Sequence, residues 1–169
     1  MIILETTRLT LKTIEKEDSQ VLHDLIFSNE DTMKYTFGQK AFTIEETKKF
    51  IYKNFCKNNA IVGLAPLFEK RSGLLIGVAG VLKNEQLGKD HYEFGFIIAE
   101  EFRKNGYATE VAQSEITFIK KRLKQSYAYA LVNKENEISK NLLEKLGMSY
   151  EKDIEETSRG TRAVYKKRV

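Results

Sequence analysis

From Ala108 to Leu123, apolar residues fall at Ala108, Ala112, Ile116, Ile119 and Leu123. These spacings of four, four, three and four predict one long helix with a single apolar face. Just before it, Phe94-Gly95-Phe96-Ile97-Ile98 is apolar without a break and reads as a buried strand within His91–Ala99. Just after it, Tyr127–Val132 is another short apolar strand. Strand, helix and strand in that order make a crossover unit, so the two strands should be parallel and the connection right-handed.

Upstream, Leu4–Lys12 alternates apolar and polar residues and predicts a first strand centred on Arg8–Lys12. Val21, Leu22, Leu25 and Ile26 recur at helical spacing within Lys16–Phe27, and Asp18 in the first turn suits the helix dipole. Ser28–Phe42 is polar and irregular; loops of this length in small domains tend to cover a site. Thr43-Ile44-Glu45-Glu46 is a capping box opening a helix that carries Ile44, Thr47, Phe50, Ile51 and Phe55 on one face and ends near Asn58-Asn59. The period then changes. Ala60–Glu69 and Leu74–Lys83 form a hairpin around Lys70–Gly73, and the turn Asn84–Asp90 leads into His91–Ala99, giving an antiparallel meander. Downstream, Asn136 caps a helix Glu137–Leu146 that buries Ile138, Leu142, Leu143 and Leu146, with Gly147 as its C′ residue. Ser149–Ile154 and Thr161–Arg168 close the chain as strands around the turn Glu156–Gly160.

Composition narrows this picture only in places. The 169 residues suit a single domain, 1–169, and 41% hydrophobic with 31% charged residues is the balance of a soluble globular protein. A net charge of +4 and a pI of about 9.0 are mild, and a solvated surface accounts for them. Lys120, Lys121 and Arg122 complement the end of a helix rather than mark a nucleic-acid patch. The lone Cys56 excludes an internal disulfide and a cysteine metal cluster, and its apolar setting beside Phe55 predicts a structural thiol. His23 reads as a surface or satisfied histidine, and His91 has no partner at metal-ligand spacing. There is no signal peptide pattern and no apolar run near the roughly 18 residues of a membrane span, so a cytoplasmic protein without a membrane partner is expected.

The candidate chemistry lies where the buried strand turns into the long helix, at Arg103-Lys104-Asn105-Gly106-Tyr107-Ala108. Free amides at a helix N-terminus and the positive end of its dipole attract an anion. Gly106 lets the backbone approach it, and Ala108 keeps the first turn narrow.

The element order and this loop together resemble the GNAT family of acyl-coenzyme A-dependent N-acetyltransferases. The loop fits that family's Gln/Arg-x-x-Gly-x-Gly/Ala signature. Three further segments resemble its RimJ/RimL-type branch: Thr6-Thr7-Arg8-Leu9-Thr10-Leu11-Lys12, Gly106-Tyr107-Ala108-Thr109-Glu110, and Asn136-x-x-Ser139 followed by Leu143-Glu144-Lys145-Leu146-Gly147-Met148. The resemblance implies an α+β fold (an α/β/α sandwich). Its central sheet would have about seven mostly antiparallel strands, with the fourth and fifth parallel and splayed apart. It implies acetyl-CoA as co-substrate, no metal, and an amine acceptor on a small molecule or a protein N-terminus. Nucleic acid is not an expected partner, and a homodimer is compatible with it.

The resemblance also implies roles. Residues 103–108 would cradle the pyrophosphate. The edge of Phe96, Ile97 and Ile98 would hydrogen-bond the pantetheine arm as an added strand, with an amide near Ile97 polarising the thioester carbonyl. Asn136 would contact the arm; the position of the Ser28–Phe42 loop, not the resemblance, puts Tyr35 and Phe37 on the acceptor side. Glu93, between Tyr92 and Phe94, is the candidate base for the amine, and Ser139 the candidate donor to the departing thiolate. Against these stand plainer readings: a solvent-facing Glu93 on an alternating strand, and a Ser139 that only bonds backbone. Many relatives have Tyr where this chain has Leu143, which cannot donate a proton, and many have Gly where it has Lys104. The Leu143 departure keeps a non-catalytic acyl-CoA-binding sensor as the alternative function. A ribosome- or RNA-associated domain ranks below both.

Overall fold

The computed structural model describes residues 1–156 and 159–169. Its centre is a sheet of eight strands: β1 (Ile2–Glu5), β2 (Leu9–Lys12), β3 (Gly63–Glu69), β4 (Leu75–Lys83), β5 (Tyr92–Ile98), β6 (Tyr127–Asn133), β7 (Ser149–Glu156) and β8 (Gly160–Arg168), in the order β1-β2-β3-β4-β5-β6-β8-β7. All neighbours pair antiparallel except β5 and β6, which are parallel. The eighth strand arises at the start of the chain. The single alternating run expected over Leu4–Lys12 is two strands, because the chain turns at Thr6–Arg8 and pairs back on itself, Glu5 opposite Thr10.

Five helices accompany the sheet: α1 (Asp18–Leu22, running on as a wider π turn through Phe27), α2 (Glu30–Met33), α3 (Ile44–Asn54), α4 (Tyr107–Lys121) and α5 (Glu137–Lys145). The strand period sorts them into layers. Val78 and Ile97 join Leu22, Ile26, Phe27 and Ile51 in one core cluster. Their neighbours Val81 and Phe94 join Ala112, Ile119, Leu143 and Leu146 in another. Successive strand residues point to opposite faces, so α1 to α3 and α4 pack on opposite sides of the sheet. β4 lies between them and is buried from Leu75 to Val81.

Several expectations shift. The α3 capping box is formed on both sides, Thr43 Oγ1 accepting from the Glu46 amide and Glu46 accepting from the Thr43 amide. The helix nonetheless ends at Asn54 rather than near Asn58. Phe55 adopts extended geometry and bridges Leu64, and the Cys56 amide donates to the Leu64 carbonyl at 2.8 Å. Cys56 is therefore buried beside a strand rather than in a helix, and burial pushes its thiol up to about 11. The irregular stretch Ser28–Phe42 holds α2 and a short 3-10 turn at Phe37–Gln39. Ile138, expected inside, is 84% exposed, since only Leu143 and Leu146 of α5 face the core fully. Val21 is exposed as well. His23 Nδ1 sits 2.8 Å from Thr47 Oγ1, a satisfied histidine. Of the turn expected over Glu156–Gly160, Thr157 and Ser158 lie outside the described residues.

Candidate active site

The parallel pair β5 and β6 meets at Glu93 opposite Tyr129 and has no further register beyond that point. Past it the strands separate, leaving a cleft of about 100 Å³ whose walls include Glu93 to Ile97 of β5, Ala130 to Val132 of β6, and Asn136, Ser139 and Leu143 of α5. Spacings of three and four put those α5 residues on one face of the helix. Tyr35 and Phe37 of the loop before α3, with Arg159 and Arg162 from the end of the chain, complete it. The expected residues Glu93, Ser139, Asn136, Phe96, Ile97, Tyr35 and Phe37 thus come together around one cavity.

The backbone of β5 has an open edge here. The Ala99 amide donates to the Ile76 carbonyl, and the Ile97 carbonyl faces Gly77, so these residues turn toward β4. Antiparallel alternation leaves Phe96 and Ile98 facing the other way, and the Ile98 carbonyl accepts from Arg103 Nε at 3.0 Å.

A turn at Lys104 and a bend at Asn105 separate Arg103 from the Gly106 cap of α4. Gly106 has φ of 78° and Lys104 φ of 62°, both left-handed. Among the described residues, the amides of Lys104 to Thr109 donate no hydrogen bond within the chain. Tyr107 is the first helical residue, one earlier than expected. Its side chain is buried, and its hydroxyl donates to Glu69. Arg103 folds back, its Nη2 donating to Thr32 Oγ1 at 3.0 Å, and its amide donates to the Glu100 carbonyl at 3.2 Å, so that amide is not among the free ones. Asn105 likewise turns its side-chain amide onto the Phe102 and Arg103 carbonyls.

At the far end of β5 the sequence missed the main electrostatic feature. Glu93 is buried (4% exposed) and is not a solvent-facing strand residue. Arg159 donates to both its oxygens, Nη1 at 2.8 Å and Nη2 at 3.1 Å, and Asn84 Nδ2 donates to Oε2 at 2.6 Å. Arg159 also grips Glu156 at 2.8 and 2.9 Å. Burial opposes ionisation of Glu156, but Arg159 outweighs it and holds that carboxyl below its usual range. Arg162 is buried, and among the described residues its hydrogen-bond partners are carbonyls: Tyr35, Thr36 and Arg159 accept from it at 2.7, 3.0 and 3.0 Å. Burial, then the neighbouring Arg159 charge, pushes it down to about 10. Two of these bonds pin the Tyr35–Thr36 wall of the cleft to β8, and the third holds the Arg159 carbonyl. A second hollow of about 340 Å³, lined by Asn84, Glu85, Gln86 and Glu156, shares Leu82, Glu93 and Arg159 with the first. The pairings of Arg159 with Glu93 and of Arg162 with Tyr35 and Thr36 span 66 residues or more, so no local signal announces them.

Asn136 caps α5, its Oδ1 accepting from the Ser139 amide at 3.2 Å. The Ser139 hydroxyl has no partner among the described residues and lines the cleft beside Leu143. Among the described residues, no group of three or more His, Cys, Asp or Glu side chains could hold a metal ion. No helix there is long and apolar enough to cross a membrane.

The sequence model of the acetyltransferase (GNAT) domain matches residues 8–149. The chain is 28% identical over 166 residues to the uncharacterized protein YkkB of Bacillus subtilis (strain 168), covering 98% of this chain and 95% of that one. It is similar to the crystal structure of a GNAT-family acetyltransferase from Bacillus anthracis, with TM-score 0.81 and 25% identity, over 99% and 98% of the two chains. A spermidine N-acetyltransferase from Vibrio cholerae, solved with CoA and spermine, has a similar fold at TM-score 0.76 and 20% identity, covering 96% of each chain.

Proposed function

We propose, for a chain that belongs to the GNAT acetyltransferase domain family, that acetyl-CoA is the donor and a primary amine, on a protein N-terminus or a small molecule, is the acceptor. We further assign it to the RimJ/RimL-type branch, on the three motif segments it carries. The observation that carries the reading is the separation of β5 and β6 beyond Glu93, downstream of which free amides crown α4. An anion bound to residues 103–108 would lie at the outer end of the strand whose inner end bears Glu93. Phe96 and Ile98 would hydrogen-bond the pantetheine arm along the open edge, with the Ile97 side chain against it. An amide of that edge would hold the thioester oxygen as charge develops on it.

Glu93 is the proposed proton acceptor for the amine. Two donors meet Oε2 and one meets Oε1, so Oε1 keeps an acceptor site at which that proton would arrive, directly or through a water. Ser139 is the proposed donor to the leaving thiolate, since its hydroxyl is unpartnered and Leu143 beside it has none to give. Asn136 would combine capping with contact to the arm.

The test is a calorimetric titration with acetyl-CoA, then thiol release over a panel of amines. Binding followed by release with one amine class supports the reading; binding with no release over peptides, polyamines and amino acids favours a sensor. Glu93→Gln separates two roles. A base loses kcat by on the order of a hundredfold, with acetyl-CoA affinity held. A carboxylate that merely positions Arg159 raises the acceptor KM and leaves kcat alone.

A further inference from the structure

Arg8 in the first branch segment and Glu110 at the end of the second lie 102 residues apart in sequence, and neither has a role in the chemistry above. The structure brings them together. Arg8 Nε donates to Glu110 Oε2 at 2.6 Å, the Arg8 amide donates to Oε1 at 2.9 Å, and Thr6 Oγ1 donates to Oε1 at 2.5 Å. Arg8 Nη1 donates to the Asn105 carbonyl at 2.8 Å, and the guanidinium lies 4.6 Å from the Tyr107 ring centre. Nη2 has no protein partner among the described residues, and it would sit 3.4 Å from a Cβ placed on Gly106. The guanidinium therefore stands directly over the loop.

Glu110 is the reason this matters. It lies in the first turn of α4, where a carboxylate suits the helix dipole. Burial would raise it, but the bonds from Thr6 and Arg8 outweigh burial and keep the carboxyl below its usual range, so it carries charge. That charge sits one turn from the free amides of Lys104 to Thr109. Left alone, it would repel the very anion they are arranged to hold.

We propose that Arg8 is a positioning residue for the donor. It neutralises Glu110 and fixes the Asn105 carbonyl, so that the loop offers a pyrophosphate an unopposed set of amides. The proposal rests on residues 103–108 being the pyrophosphate site. Arg8 is suited to the task because its rigid planar guanidinium meets the carboxylate through Nε and the carbonyl through Nη1 in one fixed geometry.

The experiment compares acetyl-CoA with acetyl-pantetheine, which lacks the pyrophosphate, in the full-length protein. Arg8→Ala should raise the acetyl-CoA Kd by about tenfold at low salt and less at high salt, while the acetyl-pantetheine KM stays within about twofold. Glu110→Gln keeps the shape and removes the charge; its amide nitrogen cannot accept from Arg8 Nε, but Arg8 stays bonded to the Asn105 carbonyl, so the variant should bind acetyl-CoA at least as tightly as the parent. The double variant should bind better than Arg8→Ala alone. A purely structural contact would instead weaken both donors alike in Arg8→Ala and gain nothing from the second change. Either result overturns the proposal, as does unaltered acetyl-CoA binding by Arg8→Ala. Should Arg8→Ala fail to fold, Glu110→Gln decides: weaker acetyl-CoA binding by it overturns the proposal. Failure of the parent to bind acetyl-CoA would remove the loop reading itself, and the clamp with it. Parental binding with Arg8→Ala unaffected would remove the clamp only.

Discussion

Glu115 carries a carboxyl from α4 into the core, fully buried, with no cation among the described residues to meet it. One oxygen accepts from the Gly80 amide at 2.6 Å, and the other has no partner among the described residues. Burial raises this carboxyl well above its usual range, the Gly80 bond opposing it only in part, so the group is neutral where most carboxylates are charged. The consequence for stability has a definite sign. The folded chain holds this proton more tightly than the unfolded one, so the contribution is complete below the usual carboxylate range. It then shrinks as pH rises toward the folded value, by up to about 1.4 kcal/mol per pH unit. Glu115→Gln keeps the acceptor for Gly80 and has no proton to lose. Urea denaturation between about pH 5 and pH 8 should show stability falling less steeply in the variant than in the parent. Parallel slopes would mean that Glu115 is ionised in the fold or that its proton is not linked to unfolding.

At the scale of elements, α4 and the loop before it carry the donor reading, and Gly106 is the hinge between them. Its left-handed φ of 78° costs a non-glycine residue about 1–2 kcal/mol, and a β-branched one at least as much. Gly106→Val should lower stability by about that amount and weaken acetyl-CoA binding by tenfold or more, with calorimetry as the readout. Normal affinity in a folded Val variant would sink the loop assignment. This element was legible because its signals are local: an apolar run, a glycine and a 3.6-residue period lie within thirty residues. The α3 capping box and the β3–β4 hairpin were legible for the same reason. Where long-range pairing decides, the sequence was silent. Phe55 continues the helical face in sequence, yet pairing of Phe55 and Cys56 with Leu64 draws them into extended chain. Leu4–Lys12 alternates like one strand, but folds back at Thr6–Arg8 to form two. Arg159 sits among turn residues, and only the approach of β5 makes it the partner of Glu93. The motif residues Arg8 and Glu110 were visible as a resemblance; that they touch was not.

The whole molecule is one sheet built from two parts that barely meet. β1 to β5 form an antiparallel run, β6, β8 and β7 form another, and the link between them is the short parallel contact at Glu93 and Tyr129. α4 spans that seam, packing Val111 with the first part and Ile119 with the second. A donor lying in the cleft would touch Phe96 on one side and Ala130 or Ser139 on the other, closing the gap with its own contacts. Any ligand that binds the folded chain and not the unfolded one stabilises it by mass action, about 2.7 kcal/mol at a hundred times its Kd. In a protein of this size that amounts to a rise in Tm of about 5–10 °C. Acetyl-pantetheine at the same multiple of its own Kd should give the same shift, since the multiple sets the gain, but should need a far higher concentration to reach it. That difference in concentration measures what the loop at 103–108 contributes. If the two donors reach the shift at equal concentration, the pyrophosphate adds nothing, and the free amides at the head of α4 hold something other than this cofactor.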